Sequence, residues 1–293
     1  MNGILLIDKP TDWTSHDVVA KLRGILRERR IGHAGTLDPM ATGLLTIFVG
    51  RATRAAQFAE AEAKTYIARL QLGLVTDTQD ITGRVLEQSD ISVSREELEM
   101  VLPQFLGEIL QIPPMYSAIQ IDGQRLYKLA RQGVEVERKA RPVTIHDIRV
   151  LGEAENGFDL EISCSKGTYI RTLCHDMGQA LGTGGTMAAL RRTRVGAFSL
   201  EEACTLDELK EASDPAQFLR PVDTLFAQYP SLTVDSKQEQ KIKHGQQIKT
   251  PAGEPGRCRV YSESGEFLAL SEVFAEGDRL MLKSIKSFYQ PNT

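Results

Sequence analysis

No apolar run in the 293-residue chain approaches the roughly 20 residues of a membrane-spanning helix. The start, MNGILLIDKPTDW, holds one short apolar run with no basic stretch ahead of it, and does not read as a signal peptide. The four cysteines, Cys164, Cys174, Cys204 and Cys258, form no CxxC pair. They read as reduced thiols of a cytoplasmic protein, not as a disulfide frame or a zinc site. The five histidines show no HxH or HxxxH spacing, so no metal is expected. No GxxxxGK[ST] phosphate loop, no GxGxxG after a strand and no GxSxG elbow occurs, and GTGGT at 182–186 lacks the surroundings of any of them. No cofactor is expected.

Neither sign of charge dominates, since the net charge is −4, but the charges are segregated. Seven Lys/Arg against two acids lie between Lys21 and Arg54, and seven against three between Gln124 and Arg149. Arg191, Arg192 and Arg194 form a third basic cluster, while acids gather in 87–112, 201–214 and 263–278. This asymmetry predicts one basic face on an acidic molecule, the footprint of a polyanionic partner. Scattered solvated charge is the ordinary alternative.

Hydrophobic patterning predicts strands at Ile4–Asp8, Leu44–Val49, Tyr66–Leu72, Thr144–Val150 and Phe158–Ser163, with Val85–Glu87 resuming the same sheet. A helix capped by Thr14 or Ser15 buries Val18, Val19, Leu22, Ile25 and Leu26 and presents Lys21, Arg23, Arg27, Arg29 and Arg30 outward. Further helices are expected from Ser94 to about Leu106, over Thr168–Leu181, and as a polar stretch over Thr205–Thr224. Residues 113–140, with an Asp122-Gly123 turn, a short basic helix and a second basic strand, read as an inserted arm. Near Tyr229-Pro230 the texture changes to short strands, Ile248–Lys249, Arg257–Tyr261, Phe267–Val273 and Leu280–Ile285, separated by turns such as Ala252-Gly253. The expected architecture is α+β. A mixed, largely antiparallel sheet flanked by helices occupies 1–228, and a small β-barrel-like unit occupies 229–293.

GHAGTLDPMATGLL, residues 32–45, holds the most suggestive carboxylate. Gly35 permits a tight turn, and Pro39 biases Asp38 toward an extended backbone. Asp38 then projects from a stiff loop, as a nucleophile or electrostatic group should. A turn aspartate bonded to its own backbone is the bland alternative. Arg171, in the first turns of a predicted helix, suits a fixed guanidinium–carboxylate pair, or is a solvated surface arginine. Tyr66 reads as an ordinary strand aromatic, and His33 either packs on a base or caps its loop.

LLIDKPTDWTSHDVV, GHAGTLDPMATGLL, AKTYIARLQLG, TDTQDITG, IPPMYSAIQIDGQRLYKLARQG and CSKGTYIRTL, in this order over roughly residues 1–200, resemble the TruB family of tRNA pseudouridine synthases. The last unit resembles a PUA domain. The resemblance implies the pseudouridine synthase fold and isomerisation of uridine 55 in the T-loop of tRNA, by base flipping, cleavage at N1 and reattachment through C5. It implies Asp38 as the catalytic aspartate, paired with Arg171 in a network with Asp80 and Tyr169. Tyr66 would stack on the flipped uracil, His33 would contact the nucleotide or fill its place, and Leu190 would line the pocket. The 113–140 arm would close over the T-stem-loop, with Arg125, Lys128, Arg131 and Arg141 as contact candidates. One departure is Ala34, where the family often has Thr. A monomer that needs no guide RNA is the expectation. A guide-dependent, dyskerin-like enzyme and an RNA-folding protein with a vestigial site are the alternatives.

Overall fold

The computed structural model describes residues 1–90, 92–117, 119–121, 123–250 and 254–289. Asp122 and the Ala252-Gly253 turn lie outside the described residues. The chain opens with β1 (Gly3–Lys9), α1 (Ser15–Leu26), β2 (Ile31–Ala34), β3 (Thr42–Val49), α2 (Ala56–Ala61) and β4 (Lys64–Leu72). It continues with β5 (Leu74–Thr76), β6 (Val85–Gln88), α3 (Arg95–Val101) and β7 (Gly107–Gln111). The arm holds β8 (Gln120–Ile121), β9 (Gln124–Arg125) and α4 (Leu126–Arg131). The chain then returns through β10 (Arg141–Ala154), β11 (Gly157–Cys164), α5 (Ile170–Ala180), β12 (Gly185–Val195), β13 (Phe198–Ser199) and α6 (Leu206–Glu211). The last part comprises β14 (Ser231–Val234), α7 (Ser236–Lys243), β15 (Ile248–Lys249), β16 (Gly256–Ser262), β17 (Phe267–Glu276) and β18 (Arg279–Ser287).

The large sheet runs β1-β3-β12-β4-β11-β10-β7, with β2 beside β3 and β13 beside β12. Only β3 and β12 pair in parallel; the other neighbours in it are antiparallel. β1 is an unbroken apolar run because both of its faces are covered. Ile4 and Leu6 enter one buried cluster, and Leu5 and Ile7 another that holds Val18, Val19, Leu22 and Leu26 of α1. Thr14 caps α1 in a reciprocal box with Asp17. On β4, Tyr66, Ala68 and Leu70 face a third cluster with Leu173, Cys174 and Met177 of α5. Ala34, at the position that departs from the family, is packed in the core beside Phe48.

The mixed, largely antiparallel sheet matches the sequence reading, but several elements differ. β6 pairs with β5 alone, as a separate hairpin. The helix from Ser94 ends at Val101, and Pro103 lies in a single 3-10 turn that follows it. Thr205–Thr224 is helical only over α6, with short 3-10 turns beyond it. The second basic strand of the arm is absent: 134–140 is irregular, and the strand begins at Arg141. β2, β7, β12, β14 and α7 were not legible. β12 is the most consequential, because it is central to the sheet and carries two of the three arginines assigned to a basic surface cluster into paired positions. Arg192 is 1% exposed, and Arg191 pairs with Asp8 at 2.7 Å.

The C-terminal strands form a five-stranded sheet, β14-β16-β17-β18-β15, a half-barrel that fits a PUA-like unit. An aromatic cluster joins it to the rest. Phe226 meets Phe58 edge-on at 5.3 Å and packs against Phe267 and Phe288 at 6.1 and 5.8 Å. Because Phe226 is 1% exposed, Phe226→Ala should cost about 3–5 kcal/mol in urea unfolding. A loss below about 1 kcal/mol would mean that this cluster is not a shared core.

Candidate active site

The loop after β2 is held from both ends. Gly35 has φ +69°, and a Cβ there would lie 3.2 Å from Arg192 Nη1. Buried Arg192 donates to Leu44 O (2.7 Å) and Gly35 O (2.9 Å). Leu37 N–H donates to Ser15 Oγ (2.9 Å), and that hydroxyl returns a bond to Leu37 O (3.3 Å). Lys9, fully buried, spends its ammonium on Pro10 O, Trp13 O and Pro39 O at 2.8, 2.6 and 3.1 Å. Burial pulls its pKa down to about 8, against the opposing pull of Asp12 and Asp38. Lys64, also buried, donates to Glu60 O and Glu62 O at 2.6 Å and so fixes the start of β4 two residues before Tyr66.

From that loop the Asp38 carboxylate reaches Arg171 Nε at 3.0 Å. Arg171, in the first turn of α5, uses its whole fork. Nη1 donates to Thr78 O (3.2 Å) and lies 3.5 Å from Asp80 Oδ2, and Nη2 donates to Tyr116 O (3.0 Å). Asp80 Oδ1 is occupied by Thr78 Oγ1, Thr82 N and Thr82 Oγ1 at 2.9, 3.0 and 2.5 Å. Exposure grades along this ladder: the side chains of Asp80 and Arg171 keep 7% and 6% of their surface open, and that of Asp38 keeps 39%. Burial pushes the Asp38 carboxyl above its ordinary range; Arg171 opposes this, Asp80 adds to it, and Lys9 opposes it.

Apolar and aromatic groups flank the carboxylate. Tyr66, 9% exposed, shares a cluster with Leu37, Ala41 and Leu190, and burial raises its phenol pKa. Tyr169 is half-buried at the N-cap of α5; burial raises its pKa too, with Arg171 and Arg141 pulling down and Asp38 pushing up. His33 stands apart from the ladder, on β2. Its Nδ1 is buried with no partner among the described residues, and its pKa is lowered by burial, then by Arg192 and His16. On the arm and its neck, Lys128 and Arg141 are exposed; the side chains of Arg125 and Arg131 lie outside the described residues. Arg138 instead braces the neck, donating to Pro113 O (3.1 Å) and to Glu135 Oε1 (3.0 Å). Sequence reasoning thus found the ladder but missed Lys9, Lys64, Arg192 and Gln111. No group of three or more His, Cys, Asp or Glu among the described residues is placed to hold a metal.

A half-open carboxylate on a buried ion-pair ladder, beside a tyrosine and apolar side chains, suits a planar ring brought out of a nucleic-acid stack. The TruB family pseudouridylate synthase N-terminal domain matches residues 23–170, the tRNA pseudouridylate synthase B C-terminal domain matches 171–227, and the pseudouridine synthase II TruB C-terminal domain matches 230–280. The chain belongs to the TruB family and is a pseudouridine synthase. It is 44% identical over 275 residues to the tRNA pseudouridine synthase B of Azoarcus sp., covering 93% of this chain and 91% of that one. It is 42% identical over 287 residues to the protein of that name from Clostridium tetani, covering 96% and 99%. Among solved structures, it superposes on a Cbf5-Nop10-Gar1 complex chain with TM-score 0.76 and 26% identity, covering 98% of this chain and 85% of that one.

Proposed function

We propose that this chain converts a uridine of tRNA, position 55 in the T-loop, to pseudouridine, with Asp38 as the catalytic carboxylate. The graded exposure of the ladder carries this reading: the only one of its three members open to a substrate is Asp38, and its two partners are held rigidly beneath it. The reaction breaks the N1–C1′ bond, turns the uracil, and forms C5–C1′; the C5 proton leaves and N1 gains one, so no redox partner or group donor enters. Attack on ribose C1′, addition to the base, and stabilisation of a glycal-forming path each begin from the same Asp38 anion. Tyr66 stacks on the flipped uracil, Leu190 and Tyr169 line its pocket, and His33 on β2 contacts the nucleotide or fills the place it leaves. Arg171 orients Asp38 and favours its ionised form, and Asp80 holds Arg171 in place.

Residues 1–228 act as the catalytic domain and 229–293 as a PUA-like RNA-binding unit. The protein works as a monomer without a guide RNA, a reading supported by the arm over 113–140, which supplies its own grip on a stem-loop. Purified protein with an unmodified tRNA transcript should form pseudouridine unaided. No product without added RNA or protein would instead favour the guide-dependent reading.

The arm adds a salt test. Neutralising Arg125, Lys128, Arg131 and Arg141 together should weaken tRNA binding and flatten the slope of log K against log salt, because fewer counterions are released. The weakening should be similar across tRNAs, since phosphate contacts carry no base identity. An unchanged slope in filter binding across a salt series removes these side chains from the RNA interface.

A further inference from the structure

The arm leaves the sheet after Gln111, the last residue of β7, and returns at Arg141, the first of β10. Those two residues face each other in the β7–β10 ladder, so the backbone of Gln111 closes the neck of the arm. Its side chain points elsewhere. It is 2% exposed, accepts from Tyr169 N–H through Oε1 (3.0 Å) and donates through Nε2 to Tyr169 O (3.2 Å). A buried primary amide here reproduces the two-way bonding of a neighbouring strand. Tyr169 is the N-cap of α5, and its own side chain makes no capping bond. Two residues on, Arg171 pairs with Asp38 and also donates to Tyr116 O, five residues past Gln111 on the outgoing root of the arm. The result is a closed ring: Gln111 to Tyr169, along α5 to Arg171, across to Tyr116, and back along the chain to Gln111.

We propose that Gln111 is a positioning residue that ties the neck of the arm to the Arg171–Asp38 pair and thereby fixes the orientation of the reacting carboxylate. This rests on the reading of Asp38 as catalytic. The neck is bound to the start of α5 by the Gln111 amide and by the bond from Arg171 to Tyr116. Neither group needs to touch RNA. Both act through the guanidinium.

The full-length variants Gln111→Met and Gln111→Glu separate this role from simple scaffolding. Met keeps the volume and leaves both Tyr169 backbone groups without a side-chain partner. Glu keeps the acceptor toward Tyr169 N–H but opposes Tyr169 O with an oxygen. Single-turnover rate, tRNA Kd and the pH profile of the rate are measured for each at a temperature where its circular dichroism matches wild type. At saturating tRNA the rate should fall at least tenfold with Kd within about twofold of wild type, and the acid limb of the profile should move to higher pH as the Arg171–Asp38 pair loosens. An unchanged rate, a loss confined to Kd, or a rate loss at all pH values alike would overturn the proposal. If Met fails to fold, Glu decides by the same criteria; if both fail, Gln111 is a folding residue and the proposal falls. Wild-type turnover is the control for the wider reading: none at all sinks both, whereas full activity in wild type and variants sinks this inference alone.

Discussion

Asp38→Asn is expected to leave a folded protein that binds tRNA and forms essentially no pseudouridine. The substitution keeps size and shape and removes the anion, so it reports on chemistry. A raised carboxyl pKa implies that ionising Asp38 brings the fold no net gain near neutrality. A carboxyl whose folded pKa is raised above its unfolded value binds protons more tightly in the native state. Its contribution to stability is therefore favourable only at low pH, and is lost as pH rises through the ordinary aspartate range to the raised value. Near neutrality the Asp38 charge is a cost, and an amide relieves it. Arg171 keeps Thr78 O, Asp80 and Tyr116 O as partners. The midpoint of thermal unfolding at pH 7 should accordingly be no lower than in wild type. Turnover should fall by more than a thousandfold, a barrier increase above about 4 kcal/mol at 1.36 kcal/mol per tenfold. Activity within tenfold of wild type would remove Asp38 from the chemistry, and lost tRNA binding would show that the carboxylate serves recognition instead.

The ladder was legible in the sequence because each member has a chemical counterpart in it. A carboxylate on a Gly/Pro loop and an arginine at a helix start can be sought as a pair, and the six ordered motifs placed Asp80 and Tyr169 beside them. Lys9, Lys64, Arg192 and Gln111 were not legible for one common reason. Their partners are mainly backbone groups: Pro39 O, Glu60 O, Gly35 O, and both polar groups of Tyr169. Every residue offers such groups, so no spacing rule reveals the match. A buried cation then looks like a solvated one, and Arg192 was counted on a basic surface although it is closed inside the sheet. The same effect hid β12. GTMAALRRTRV reads as polar toward its end although Arg192 there is buried, because Arg192 is satisfied by Leu44 O and Gly35 O rather than by water. α1 was legible down to its cap, since Thr14 and Asp17 bond each other locally and the buried face has helical period.

Arg171→Lys should be far more damaging than the retained charge suggests. The guanidinium serves four acceptors on three separate segments: Asp38, Thr78 O with Asp80, and Tyr116 O. It does so because Nε, Nη1 and Nη2 point in fixed, coplanar directions. An ammonium on a flexible stem concentrates its donors at one point and can satisfy one side of that arrangement while leaving the others buried and unpaired. The orientation of Asp38 is the first thing lost. At saturating tRNA the rate should fall about a hundredfold, close to 2.7 kcal/mol of barrier. A second consequence follows from the field of Arg171, the largest influence holding the Asp38 pKa down against burial. A more distant or mobile cation holds it down less, so the carboxyl titrates at higher pH and a smaller fraction is ionised at any given pH below neutrality. The acid limb of the single-turnover rate, measured from pH 5 to 8, should therefore move upward in Arg171→Lys relative to wild type. Arg171→Ala, which removes the cation outright, should move it further, provided that enough of the variant folds to be assayed. Near-normal turnover with an unmoved acid limb in Arg171→Lys would mean that a point charge suffices, and that the fork beneath Asp38 holds the loops together without governing the reaction.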